Sequence, residues 1–267
     1  MLQKFDTATK IISNEQIATN HFLLRCKCPK IAAQSKPGQF IHVLIDKGSN
    51  LLLRRPFTIY SIKDDEISML YQIIGKGTKI LSTCQQDQQI NVLGPLGNCF
   101  DLSVEPDPAI VVGGGAGIAS LMLLATALRL NGIRLIAMIG AMSSDRLLSV
   151  KDLEEIGAEI HITTDDGSFG NQGFVTDSLL AVLEKPTKNG LRNPIIFTCG
   201  PSGMLQAVTK IVVDYEIPCQ VAMENEMGCA LGVCLGCVCK VRSPNAGFEF
   251  QRVCSEGPVF NAKDIIW

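Results

Sequence analysis

Eleven cysteines stand in this 267-residue chain. Six of them, Cys219, Cys229, Cys234, Cys237, Cys239 and Cys254, fall in its last stretch. Cys229-x4-Cys234-x2-Cys237, with sixteen residues before Cys254, is the spacing of plant-type [2Fe–2S] sites. Four thiolates there hold two irons, two on each, and backbone N–H groups aimed at the sulfurs offset their charge. Gly228, Gly232 and Gly236 let such a loop curl with no side chain in the way. A structural zinc site is the competing chemistry. Zinc usually takes two close Cys pairs, and here Cys254 has no near neighbour of its own kind. Cys239 reads as a small buried hydrophobe beside the cluster, with ligation as its other use. Cys26, Cys28, Cys84, Cys99, Cys199 and Cys219 read as core or strand positions, and Cys199, at a strand end, as a pocket wall. A local cluster favours metal ligation over disulfides, which a secreted chain spreads along its length.

Two further stretches suit phosphate-bearing ligands. Val111-Val112-Gly113-Gly114-Gly115-Ala116-Gly117-Ile118 is a glycine turn between an apolar strand and an apolar helix. Such a turn brings N–H groups to a pyrophosphate, although Ile118 breaks the G-x-G-x-x-G pattern and a tight packing turn reads equally well. Arg54-Arg55-Pro56-Phe57-Thr58 offers a planar cationic fork, a fixed backbone, an aromatic face and a hydroxyl. Gly75-Lys76-Gly77-Thr78 adds an anion-friendly turn. Together they suggest a flavin dinucleotide. Asp165-Asp166-Gly167 reads as a solvated turn or a ribose contact. The choice between NADH and NADPH stays open. His21, His42 and His161 sit in strand-like segments and read as structural, so no residue reads as a general base.

The elements that must position these groups change character twice. Residues 1–101 carry short β-branched and aromatic runs, Phe40–Ile45, Phe57–Ile62 and Ile67–Ile73, cut by turn residues. This predicts a small antiparallel β-barrel. Residues 102–222 alternate strand and helix. The pattern predicts strands over Ile110–Val112, Leu135–Ile139, Glu159–Thr163 and Ile195–Cys199, and helices over Ala119–Leu130, Leu147–Glu155 and Met204–Val213. That is a doubly wound parallel sheet, with ligands at the carboxyl ends of its strands. Residues 223–267 are too few for a core of their own, and a metal would supply the stability. The fold class is therefore α/β plus all-β, with a small C-terminal module.

Composition removes several classes. Lys+Arg 24 against Asp+Glu 26 leaves no cationic excess for a nucleic-acid backbone. Hydrophobic residues at 46% against 19% charged exclude a disordered chain. The uncharged run Ala109–Leu128 is long enough for a bilayer, but its glycines cut it into strand, turn and helix. MLQKFDTATK has no apolar core, so the chain reads as cytoplasmic.

A barrel with Arg-Pro-Phe-Thr, then a nucleotide domain with Gly113–Gly117 and Cys199-Gly200-Pro201-Ser202-Gly203, resembles the ferredoxin–NADP reductase superfamily. Pro37-Gly38-Gln39-Phe40 and Gly94-Pro95-Leu96-Gly97 resemble its barrel motifs. Met227-Gly228-Cys229 through Cys239, with Val253-Cys254-Ser255-Glu256-Gly257-Pro258-Val259-Phe260, is similar to the electron-transfer subunits of dihydroorotate dehydrogenase B. The resemblance implies FAD, a [2Fe–2S] cluster and NAD. It implies FAD contacts from Arg55, Pro56, Phe57, Thr58, Leu70, Tyr71, Gln72, Gly77 and Thr78. It implies NAD contacts from Gly113, Gly114, Gly115, Gly117, Cys199, Gly200 and Pro201, and cluster ligands Cys229, Cys234, Cys237 and Cys254. It implies an FMN-containing dihydroorotate dehydrogenase catalytic subunit as partner, in a heterotetramer serving pyrimidine biosynthesis. NAD exchanges electron pairs and the cluster single electrons, so the flavin must lie between them. A related hydrogenase or transhydrogenase subunit, and a zinc-stabilised binding module, are the alternatives. Trp267 takes no flavin-stacking role, because the chain runs on into the cysteine module.

Overall fold

The computed structural model describes residues 3–45, 51–243 and 247–267. The N-terminal part is β1 (Phe5–Ala18), β2 (His21–Lys27), α1 (Pro29–Gln34), β3 (Phe40–Leu44), β4 (Arg55–Thr58), β5 (Ser61–Lys63), β6 (Glu66–Gln72), α2 (Lys76–Leu81) and β7 (Gln89–Leu96). Its strands form an antiparallel sheet in the order β4-β3-β7-β1-β2-β6-β5. The sheet curls until β4 lies against β6. Alternate residues such as Ile41, Val43, Phe57, Ile67, Met69 and Val92 fill the interior, as a period of two requires.

The second part is β8 (Ala109–Gly114), α3 (Ala119–Leu130), β9 (Leu135–Ala141), α4 (Val150–Glu155), β10 (Glu159–Thr164), β11 (Asn171–Gln172), α5 (Val175–Leu183), β12 (Ile195–Cys199), α6 (Ser202–Asp214) and β13 (Cys219–Ala222). Strand order is β11-β10-β9-β8-β12-β13, all parallel. Helices cover both faces. Ala109 and Val111 of β8 pack with Leu121, Leu124, Ala125 and Leu128 of α3, a stripe at helical spacing. Ile110 and Val112 pack with Leu179 of α5 and Leu205 and Val208 of α6 on the other face. Both faces of β8 are buried, which is why its sequence is continuously apolar. The uncharged run is thus β8, a turn and a twelve-residue helix. Among the described residues no helix is long and apolar enough to cross a membrane.

The last part holds a hairpin, β14 (Val238–Arg242) and β15 (Phe248–Arg252), and then β16 (Val259–Asn261). β16 returns to the large sheet and pairs antiparallel with β13. The module also locks onto the barrel. Asn98 Nδ2 donates to Glu256 O and Val259 O, both at 2.8 Å, and its Oδ1 accepts the Val259 N–H at 2.9 Å. A Cβ at Gly97 would stand 2.5 Å from Pro258, so the two backbones meet too closely for any side chain. Barrel and cysteine module are thus in direct contact across this seam. Barrel and nucleotide domain are joined as well, through the Tyr60 hydroxyl, which reaches Ser149 at 3.0 Å and Asp152.

Candidate functional site: two clefts and a cysteine loop

The first cleft, about 900 Å³, runs along the barrel edge at β4 and β6. Arg55, Pro56, Phe57, Thr58, Leu70, Tyr71, Gln72 and Thr78 line it. Gly77 does not, but it makes the cleft possible. A Cβ there would lie 2.5 Å from Arg55 Nε, so only glycine lets the guanidinium lie across the first turn of α2. Arg55 Nη1 donates to Leu53 O, which fixes the fork in place. Thr78 Oγ1 accepts the Ile74 and Gly75 N–H groups at 3.0 and 3.2 Å and shapes that turn. The result is a cationic corner suited to an anion. Tyr71 turns its ring into the barrel, where its hydroxyl donates to Asn14 Oδ1 at 3.0 Å. Phe57 packs edge-on against that ring, centroids 5.7 Å apart. The stacking face expected of Phe57 is therefore largely spent on the barrel core.

The second cleft, about 690 Å³, opens at the carboxyl ends of the parallel strands. Gly114 at the end of β8, Gly115 and Gly117 after it, and Gly200 and Pro201 after β12, line it. A Cβ at Gly117 would meet Cys199 O at 2.5 Å, so glycine lets the two turns touch. Gly115 has φ +52, the left-handed region that favours glycine. Gly113 lies deeper in β8, packed on Ile118, and lines neither cleft. Asp165, expected as a solvated turn, stands on this cleft with Arg146.

The clefts meet. Gln72, Ala116, Gly200, Pro201 and Glu224 line both. Cys199 lies at the junction on the first cleft's side, its Sγ 3.9 Å from Glu224 Oε1. Burial, then the Glu224 charge, pushes the Cys199 thiol far up. Burial also raises the Glu224 carboxyl, with the Cys199 contact opposing. Burial at the junction thus works against the charged form of both groups.

The cysteine loop begins on the first cleft, which Glu226 and Met227 line, and Cys229 follows two residues on. Cys229 Sγ accepts the N–H groups of Leu231, Val233 and Cys234, each at 3.4 Å. Burial raises this thiol, but those N–H groups outweigh it and leave it at about 6. Cys254 N donates to Cys237 Sγ at 3.4 Å. Burial and the Cys237 thiol push Cys254 up to about 11. Cβ atoms at Gly228 and Gly236 would stand 3.4 and 3.6 Å from Cys234 Sγ, so the glycines leave room around that sulfur. Arg252 pairs with Glu256 and donates to Gly232 O at 2.9 Å, tying the loop to the segment bearing Cys254. The cysteines come as two pairs, in each of which the backbone N–H of one is aimed at the sulfur of the other: Cys234 N at Cys229 Sγ and Cys254 N at Cys237 Sγ. Among the described residues no three His, Cys, Asp or Glu side chains converge on one ion position. Two pairs of thiols with N–H groups aimed at sulfur fit a two-iron cluster better than one tetrahedral zinc.

Residues 224–266 match the iron–sulfur cluster binding domain of dihydroorotate dehydrogenase B. Over 260 residues, 96% of each chain, the sequence is 33% identical to the Bacillus cereus dihydroorotate dehydrogenase B (NAD(+)) electron transfer subunit. The chain belongs to this family of electron transfer subunits. Among solved structures, an NADH-dependent reduced ferredoxin-NADP oxidoreductase superposes with a TM-score of 0.83 at 28% identity, covering 97% of this chain and 90% of that one. The cytochrome b5 reductase domain of Ulva prolifera nitrate reductase shares the fold, with a TM-score of 0.61 at 17% identity over 76% and 89% of the chains.

In this member of the electron transfer subunit family, sequence reasoning passed over two junction features. Glu224 was one; its signal is an acid between the apolar β13 and the cysteine loop. Ala116 was the other, hidden as the small residue within the glycine turn. Trp267 lines neither cleft. Cys239 is half-buried next to the Cys237 position, and Cys99 is half-buried while Cys26, Cys28, Cys84, Cys199 and Cys219 are buried.

Proposed function

We propose that this chain passes electrons between NAD and a [2Fe–2S] cluster by way of FAD, as the electron-transfer subunit of an NAD-dependent dihydroorotate dehydrogenase in pyrimidine biosynthesis. The observation that carries the reading is contiguity: the second cleft shares five residues with the first, and the root of the cysteine loop lines the first. When bound, a flavin exchanges a hydride pair with nicotinamide and single electrons with an iron–sulfur cluster. Arg55 and the α2 turn would hold the FAD pyrophosphate. Pro56, Phe57, Thr58, Leu70, Tyr71, Gln72 and Thr78 would bound the rest of the dinucleotide, with Gly77 making room for Arg55. Gly114, Gly115, Gly117, Gly200 and Pro201 would seat NAD, with the nicotinamide end at Cys199 and Glu224. Gly113 would act through packing alone. Asp165 favours a free ribose hydroxyl over a phosphate, and hence NADH. Cys229 with Cys234, and Cys237 with Cys254, would each grip one iron.

A subunit of this kind works with a catalytic partner. We read that partner as an FMN-containing chain in a cytoplasmic heterotetramer, which supplies the base for dihydroorotate that this chain lacks. The functional units would be a flavin barrel over 1–101, a nucleotide domain over 102–222 and a cluster module over 223–267. A second reading, a flavin–iron–sulfur subunit of a different redox complex, draws support from the likeness to the ferredoxin-NADP oxidoreductase. The test is to purify the chain with its catalytic partner. Dihydroorotate-dependent NAD⁺ reduction that needs both chains supports the first reading. Full NAD⁺ reduction by the partner alone overturns it, and a colourless chain with one zinc overturns both.

A further inference from the structure

His42 is 1% exposed, yet among the described residues neither of its ring nitrogens has a hydrogen-bond partner. A neutral imidazole carries one N–H donor and one acceptor, and burying both unpaired costs folding free energy. Burial, reinforced by the nearby Arg54 charge, holds the ring's pKa down at about 4, so it is neutral under ordinary conditions. Side chains alternate along β3. Ile41 and Val43 enter the barrel interior, so His42 faces outward with Phe40. Its cross-strand neighbours are Pro56 on one side and Leu93 on the other.

Those neighbours define where the ring sits. Phe40, Pro56 and Arg54 line the first cleft, and Arg54 Nη1 donates to His42 O at 3.3 Å. Leu93 packs against the apolar layer that runs through Phe40 and Leu96 to Ala230, Cys237 and Cys254. The imidazole therefore shares the outward face of the barrel with Phe40, Pro56 and Leu93, beside residues that line the first cleft. Among the described residues a third buried atom without a partner, Asn91 Oδ1, shares this outward face: Asn91 stands opposite Leu44, two residues along from His42. Unpaired polar groups are rare in folded chains, and a redox site is one place where their cost is offset. In a low-dielectric layer their dipoles are not cancelled by partners and act on any nearby charge change.

We propose that His42 is a positioning residue for the redox poise of the flavin: its unpaired imidazole dipole, opposite Pro56 on the face that bears the first cleft, sets how electrons divide between flavin and cluster. This rests on the flavin reading of the first cleft. The test uses the full chain carrying flavin and cluster, as His42→Phe, His42→Leu and His42→Gln. Spectroelectrochemical titration reads the reduced-flavin to reduced-cluster ratio, and thermal melting reads the flavin-stripped protein. We expect the stripped apolar variants to melt higher, because two unpaired atoms are gone. We expect their loaded forms to change the electron ratio by roughly fivefold, the equilibrium equivalent of one modest hydrogen bond. His42→Gln, which keeps a donor and an acceptor, should restore the ratio. Apolar variants that melt higher with unchanged flavin and cluster potentials would overturn the proposal, leaving His42 a structural residue. If His42→Phe overpacks, the smaller His42→Leu decides the matter. A chain that retains no flavin overturns the flavin reading itself, a different outcome from a flavin whose potential does not move.

Discussion

Replacing Asn98 with alanine should loosen barrel and cysteine module together. The side chain makes three bonds across the seam: two donated to Glu256 O and Val259 O, one accepted from Val259 N. A neutral hydrogen bond contributes roughly 0.5–1.5 kcal/mol net, so three give about 1.5–4.5 kcal/mol. The Glu256 carbonyl bond is exposed, and water replaces it at little cost. The Val259 pair is partly buried, and its loss leaves a donor and an acceptor unmet. The expected loss is therefore about 2–3 kcal/mol. Urea unfolding of the loaded protein gives two signals, flavin fluorescence for the barrel and visible absorbance for the cluster. Both midpoints should fall, by about 1 M at a slope of roughly 2–3 kcal/mol per M. Asn98→Asp should not rescue, since a carboxylate cannot donate to the two carbonyls. A cluster midpoint that falls while the flavin midpoint stays put would refute the claim that the seam couples the two units.

Arg55→Ala removes the guanidinium that lies over the α2 turn, and FAD should bind more weakly by about 1.5–3 kcal/mol, read by equilibrium dialysis. Cys254→Ser should lose the visible cluster absorbance and, because its segment carries the Asn98 contacts, also quicken flavin release. The His42 ring, held down at about 4 when folded, takes up a proton near 6.5 once unfolded. The stability it contributes is whole above about pH 6.5 and is lost as pH falls through 4. His42→Phe should flatten that part of the pH–stability curve in urea titrations, and an unchanged slope would show that another group titrates there.

Much of the architecture is legible from local pattern because the pattern has one physical cause. Ala119–Leu130 carries its buried stripe at helical spacing against a strand buried on both faces, so its ends are readable to the residue. The cysteine loop is legible because four thiols at fixed spacing narrow the chemistry to an iron–sulfur cluster or a zinc. β1 is harder. Its fourteen residues contain two register irregularities against β2, which break the alternation of two that marks a strand. β16 is harder still, since three residues beyond a metal-binding loop carry no sign that they close a distant sheet. Phe57 shows the limit of motif reading. Its place next to Arg55 suggests a stacking face, but its burial is decided by Tyr71 on another strand. His42 reads as an ordinary strand histidine, and only the absence of ring partners among the described residues sets it apart.

The central claim is an unbroken electron path from the second cleft, through the first, to the cysteine loop. Anaerobic titration of the purified loaded chain with NADH tests it most directly, following flavin absorbance and the electron paramagnetic resonance signal of the reduced cluster in one sample. The account predicts flavin bleaching and a cluster signal from the same NADH, with both lost when Arg55→Ala protein is stripped of flavin. A cluster that NADH reduces equally well without flavin, or that NADH never reduces in flavin-loaded protein, would contradict it.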